Sequence, residues 1–232
     1  MPTQLRLHSS QLTDLAVIRD TSTDLLETVA EGLNAPTQPP LRPPELHRLI
    51  GKLLGEKSKF ANNVMRVLLG LHAVIRQRKI TPKDVLEGVR YGVENAERPW
   101  NPEEVERWRT AEPSFRKLLD SPVVRLVSKA LDVAYEQENL LQSARVVTDI
   151  RPVFNEDATE IDGAVVSHTI RLRYDNTSGD QSISIAMDES DIRELEKQCK
   201  RALLKAQTSR RLMVDKARVP TIISGETDNA EA

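Results

Sequence analysis

The stretch that decides the fold reads Val165-Val-Ser-His-Thr-Ile-Arg-Leu-Arg-Tyr174, in which apolar and polar residues alternate. Successive side chains of a β-strand point to opposite faces of the sheet. A strand here therefore has one mainly apolar face and one polar face. The apolar side carries Val166, His168, Ile170, Leu172 and Tyr174, and the polar side carries Ser167, Thr169, Arg171 and Arg173.

Two further strands flank this one. Residues 145–154 alternate in the same way, and Pro152 marks an edge strand or the end of a strand because proline has no N–H for a ladder. Residues 175–179 have the composition of a hairpin loop. A third strand follows, with Ile183, Ile185 and Met187 pointing inward. The pattern predicts three antiparallel strands.

One long helix follows the third strand. Asp188 is the predicted N-cap, and Asp191 stands where a carboxylate favours the first turn of a helix. We expect the helix to pack its apolar stripe across one face of the sheet. That stripe consists of Ile192, Leu195, Cys199, Ala202, Leu203 and Ala206.

The chain before residue 145 has helical periodicity. Residues 13–33 form one bent helix or two short ones, and residues 45–144 form several helices. Thr81-Pro82, Asn101-Pro102 and Ser121-Pro122 are helix starts, each with a capping residue followed by a proline in the first turn. The last of these helices is predicted to extend to Leu141.

The fold class is thus α+β: an all-helical N-terminal region, then a small three-stranded antiparallel sheet packed against one long C-terminal helix. Five segments are predicted. They are an N-terminal helical segment (1–34), a proline-rich linker (35–44), a helical domain (45–144), a βββα interaction module (145–214) and a tail (215–232) whose last residues, 227–232, are predicted to be disordered.

Composition restricts the cellular setting. The net charge of -2 gives no overall attraction to nucleic acid or anionic lipid. A single cysteine, Cys199, fits a reducing compartment. The first residues lack the apolar core of a signal peptide, and no apolar run reaches the roughly 20 residues of a membrane helix. We expect a cytoplasmic protein that does not associate with membranes.

Catalytic and metal-binding signatures are weak. His47 and His72 have no partner at ligand spacing, and the acidic residues 156–162 do not match a calcium loop. His168 is expected to be hydrogen-bonded at the sheet, and Cys199 is expected to be buried. Trp100 and Trp108 are expected to anchor packing. The sequence predicts no catalytic residue, metal site or cofactor.

The C-terminal module is too small to be self-sufficient. About 70 residues bury too little apolar surface for stability in most cases. The first strand also offers an unpaired edge. The helical region or a second copy could cover these surfaces, and we favour a dimer with itself or a related chain. The candidate interface lies on the mixed face of the sheet and comprises Val147, Val153, Val165, Arg171, Arg173 and Ala186.

The module resembles the COMM-domain proteins. The resemblance is carried by the opening strand with Asp149-Ile-Arg151, the hairpin, and the leucine-bearing last helix. The family usually has a tryptophan early in the module, whereas residues 109–232 contain none. The resemblance implies an intertwined dimer formed by the C-terminal module and a non-enzymatic adaptor role in larger assemblies with other, unidentified proteins.

A basic run supplies an alternative. From Lys197 to Arg218 there are eight lysines or arginines and one acid, Asp215. Such a run could follow the phosphates of a nucleic acid, although it lacks aromatic residues for base stacking. We favour a solvated outer face, with basic residues near the negative end of the helix dipole, and an acidic protein partner is a further alternative. The candidate nucleic-acid contacts are Lys197, Lys200, Arg201, Lys205, Arg210 and Arg211.

Overall fold

The structure, a computed structural model, describes residues 4–36 and 39–226. The chain divides into two compact units, residues 1–133 and residues 134–232. The first unit is helical, and the second holds the sheet and the last helix. The element order confirms the predicted fold class.

The helical unit contains two short helices where the sequence allowed one or two. They end and restart around Thr21, whose hydroxyl donates to the Val17 carbonyl at 2.7 Å. A 3₁₀ segment, Gly55–Phe60, joins α3 to α4. The helices are α1 Ser9–Arg19, α2 Thr23–Leu33, α3 Pro43–Leu54, α4 Ala61–Arg78, α5 Pro82–Glu94, α6 Pro102–Leu119 and α7 Pro122–Tyr135.

The predicted helix starts are confirmed. The Thr81 hydroxyl accepts a hydrogen bond from the Asp84 N–H at 3.2 Å, and the Asn101 side chain accepts from the Glu104 N–H at 2.9 Å. Each first-turn carboxylate in turn accepts the N–H of its capping residue. These reciprocal bonds satisfy backbone donors that the helix itself leaves unpaired.

The helical unit has one apolar core. The predicted segments 1–34 and 45–144 share it, since α1 packs against α4 and α2 packs against α6. The proline-rich linker separates them in sequence, but α3 already begins at Pro43, and residues 37–38 lie outside the described part. The largest fully buried side chains include Ile18, Leu26, Leu46, Leu68, Leu86, Phe115 and Leu118.

The second unit is a sheet followed by a helix. Its strands are β1 Leu140–Phe154, β2 Ile161–Asn176 and β3 Gly179–Met187, in the order β1-β2-β3 and all antiparallel. Ile170 on β2 lies opposite Val146 on one side and Ile185 on the other. The sheet begins at Leu140 rather than residue 145. Leu141, predicted to end a helix, pairs with Tyr174 instead.

The last helix, α8 Glu189–Asp215, begins where the sequence predicted. The Asp188 carboxylate accepts the Asp191 N–H at 2.9 Å. The expected packing across the sheet is not observed. None of its residues is buried, and it contacts the sheet chiefly through β3, the strand before it. Cys199, expected to be buried, is exposed.

No helix in the described residues is long and apolar enough to cross a bilayer.

After α8 the tail turns back on the helix, where Arg210 forms an ion pair with Glu226 at 2.6 Å. The Val219 N–H donates to the Met213 carbonyl at 3.0 Å. The predicted disordered end, residues 227–232, lies outside the described residues.

Candidate protein interface

One face of the sheet, which we call the apolar face, leaves much of its apolar side-chain surface exposed. The strand register places the predicted apolar side chains of all three strands on it. Ile150 is 72% exposed, and Ile183 and Ile185 are each 46% exposed. Its members are Val146, Thr148, Ile150, Val166, His168, Ile170, Leu172, Ile183, Ile185 and Met187.

The apolar side chains of α8 are exposed as well. Leu203 retains 67% of its surface and Leu195 retains 42%, while Ile192 and Ala206 are half-buried. Leu204, Leu212, Met213 and Val214 are also exposed. The sequence stripe that should meet the sheet and the sheet face that should receive it are therefore both open to solvent in one chain. Large exposed apolar patches are typical of interaction surfaces and ligand grooves.

The opposite face, the mixed face, carries the predicted interface residues. Val153 and Val165 are about half exposed, at 48% and 54%, and Val147 is half-buried. Arg145 lies directly opposite Arg171, and such like-charge pairs destabilise a sheet. Its members are Arg145, Val147, Asp149, Arg151, Val153, Val165, Ser167, Thr169, Arg171, Arg173, Ser182, Ser184 and Ala186.

The two outer strands leave backbone groups unpaired. β1 pairs only with β2, and β3 pairs only with β2, so within the described sheet each presents a free edge. The edge of β1 spans 15 residues and is interrupted only by the missing donor of Pro152. A long free edge is a ready template for pairing with another strand. The sequence predicted this edge correctly from Pro152.

The candidate nucleic-acid residues lie on α8, where acids of the same helix neutralise part of their charge. Lys197 lies 3.5 Å from Glu194, and Lys200 lies 2.6 Å from Glu196. Arg210 is bound to Glu226 in the tail. Arg201, Lys205 and Arg211 are exposed and form no ion pair with the described residues. Half of the candidate set is thus paired within the chain.

Two histidines have structural partners. His72 is buried between helices, and its Nε2 lies 2.7 Å from the Leu119 carbonyl oxygen. Because a carbonyl only accepts, Nε2 carries the proton. Burial lowers the pKa of His72, and the hydrogen bond to Leu119 opposes this shift.

On the apolar face, His168 Nδ1 lies 2.9 Å from the Thr148 hydroxyl. Among the described residues, no cluster of His, Cys, Asp or Glu could hold a metal ion.

The tryptophans pack as predicted. Trp108 is 3% exposed, and its ring centre lies 5.7 Å from that of Trp100 and 5.7 Å from that of Phe115. Its indole N–H donates to Glu112 at 3.0 Å. The guanidinium of Arg19 lies 4.8 Å above the Trp100 ring. This cluster joins α1, α6 and the loop before α6, and it belongs to the core of the helical unit.

Sequence reasoning did not predict that the apolar face would be exposed, because it assigned that face to α8 of the same chain. Part of the signal was strand length. The predicted strands 145–154 and 165–174 each exceed the common strand of about 5–6 residues, and β1 and β2 are longer still, with 15 and 16 residues.

A scan against models of known protein families finds no match, and no curated protein is detectably similar to this chain in sequence.

Proposed function

We propose that this chain is a non-enzymatic interaction protein, which dimerises through its C-terminal sheet and helix and presents its helical unit to other proteins. The observation that carries the proposal is the coexistence of two exposed apolar surfaces in one unit, the apolar face and the stripe on α8. Because Cys199 is a free, exposed thiol, we place the protein in a reducing compartment, the cytoplasm.

Both surfaces consist of exposed apolar side chains, so each can bury the other. In the dimer, α8 of one chain covers the apolar face of the other, and the exchange is reciprocal. Burial of apolar surface stabilises such a contact by about 25 cal/mol per Å². This arrangement agrees with the intertwined dimer that the resemblance to COMM-domain proteins implies. The helical unit buries its own apolar residues, so its polar outer surface stays available to other proteins in this dimer.

Binding of nucleic acid remains the alternative, and the charges favour it less. Lys197, Lys200 and Arg210 already have acidic partners within the chain. An Arg201→Glu, Lys205→Glu, Arg211→Glu variant tests it. The alternative predicts that duplex or single-stranded nucleic acid binds the native chain with a steep salt dependence and does not bind this variant. That result would make the basic helix the functional site and would contradict the adaptor proposal.

Light scattering coupled to size-exclusion chromatography tests the dimer. The native chain should elute with twice its 26.1 kDa mass. Ile183→Glu with Ile185→Glu places two charges on the apolar face and should give a monomer. The matched control, Ser182→Glu with Ser184→Glu, places the same charges on the mixed face of the same strand. A native chain that stays monomeric at every concentration contradicts the proposal.

A further inference from the structure

The edge of β1 carries a self-complementary pattern centred on Ile150. On the mixed face, alternate residues before the centre are an arginine, a valine and an aspartate. After the centre they are an arginine and a valine, followed beyond the strand by an asparagine whose side chain accepts N–H groups of the turn at residues 156–160. In order, these positions are Arg145, Val147, Asp149, Arg151, Val153 and Asn155.

From this pattern we propose that the β1 edges of two copies pair antiparallel about a two-fold axis at Ile150, forming one continuous sheet of six strands. This inference rests on the dimer proposed above and specifies its axis and register. In a two-fold interface, residue i of one chain contacts residue j of the other, and j contacts i. The register therefore produces every contact twice.

Opposite charges meet on the mixed face. Asp149 of each copy lies opposite Arg151 of the second copy, and neither residue forms an ion pair with the described residues of its own chain. Arg145, which faces Arg171 within its own sheet, comes next to the acidic turn of the second copy. Cross-strand pairs of opposite charge stabilise a sheet, whereas like charges destabilise it. The pairing thus supplies counter-charges to Asp149, Arg151 and Arg145.

Apolar residues meet on the other face. Ile150 lies against Ile150 of the second copy, and Val146 lies against Phe154 of the second copy. In the single chain these side chains are 72%, 48% and 52% exposed, respectively. The apolar faces of the two copies then join into one surface. A shift of register by one residue would set apolar against polar side chains, because the side-chain period is two.

Pro152 weakens this ladder at one pair in each copy. It has no N–H, and proline is tolerated in an edge strand because its nitrogen faces the free edge. About Ile150 it comes opposite Thr148 of the second copy, so that pair lacks one backbone donor, while Ile150 at the axis keeps its own.

Cysteine cross-linking of the full chain reads the register directly, in a Cys199→Ser background. Facing residues of antiparallel strands have Cα atoms about 4.5–5.5 Å apart, which a disulfide can span. Ile150→Cys should form a disulfide-linked dimer rapidly under mild oxidation. Val147→Cys is the control, since its two copies would lie about 20 Å apart at about 3.4 Å per residue. A mixture of Val147→Cys and Val153→Cys chains should cross-link.

Charge reversal tests the same register without cysteine. Asp149→Arg alone, or Arg151→Asp alone, should weaken the dimer about tenfold, because each change sets two pairs of like charges face to face. The double variant Asp149→Arg with Arg151→Asp restores opposite charges and should return the dissociation constant to within about twofold of the native value.

The outcomes separate this inference from the dimer itself. A chain that is dimeric by light scattering, yet whose Ile150→Cys variant cross-links no faster than Val147→Cys, overturns the Ile150 axis and leaves the proposed function standing. A chain that is monomeric at all concentrations overturns both. A single charge reversal without effect on a dimeric chain also rejects the register.

Discussion

Phe115 and Phe154 are the same amino acid in two different environments. Phe115 in the helical unit has no exposed surface, whereas Phe154 at the end of β1 is 52% exposed. The contrast holds for the units as wholes. The buried apolar core lies in the helical unit, and none of the residues of α8 is buried. The helical unit thus buries its own apolar side chains, whereas the C-terminal unit leaves many of its apolar side chains exposed.

The largest effect should come from breaking the helical unit. Phe115→Ala leaves a cavity in a filled core and should lower the free energy of unfolding by about 3–5 kcal/mol. Phe154→Ala is the matched change, and in the monomer it should cost no more than about 0.5 kcal/mol. Urea unfolding followed by circular dichroism, at concentrations low enough to give monomers, measures both. Equal losses would contradict the difference between the units.

The close packing of the helical unit can be tested at its glycines. A Cβ on Gly92 would lie 2.7 Å from Leu7 Cγ and 2.8 Å from the Leu5 carbonyl oxygen, whereas one on Gly70 would meet nothing within 4 Å. Both glycines lie within helices. Gly92→Ala should destabilise the protein by about 1–2 kcal/mol, and Gly70→Ala should stabilise it by about 0.5–1 kcal/mol.

Thermal unfolding of the two glycine variants, side by side with the native chain, gives this comparison. The structure places residues 5–7 in close contact with Gly92 on α5. A Gly92→Ala protein as stable as the Gly70→Ala protein would contradict this contact.

The smallest of these effects is expected from pH. Burial holds the pKa of His72 below its ordinary value of 6.5. In the unfolded chain His72 binds a proton as the pH falls through about 6.5, while in the folded chain it stays neutral to lower pH. Stability should therefore decrease from neutral pH toward pH 5.

His72→Gln keeps a side-chain donor for the Leu119 carbonyl and removes the titration. The melting temperature of this variant should fall less steeply between pH 7 and pH 5 than that of the native chain. Identical slopes would mean that His72 is not buried in neutral form in the helical unit.

Local chemistry made much of this fold predictable from the sequence. Thr81, Asn101 and Asp188 cap helices as their side chains suggested, and the alternation on β2 gave both faces of the sheet correctly. The boundary near Leu141 was wrong, because the leucines at 140 and 141 continue the apolar spacing of the preceding helix. In the structure these residues instead begin β1, and Leu141 pairs with Tyr174 on β2.

The position of α8 could not be predicted in the same way. Periodicity shows that Leu195 and Leu203 share an apolar stripe, but it does not show which surface receives the stripe. The expectation assigned it to the sheet of the same chain, and those side chains are exposed instead. The alternation placed Val153 and Val165 correctly on the mixed face, whereas the apolar face, expected to lie under α8, is exposed.

Hydrogen–deuterium exchange at several protein concentrations tests the central claim most directly, because it reads both units in one sample. If a second chain completes the C-terminal unit, exchange in α8 and β1 should slow as the concentration rises, while the helices around Phe115 should keep constant protection. Protection of α8 and β1 that is already maximal in the most dilute sample, where the chain is monomeric, would contradict the account.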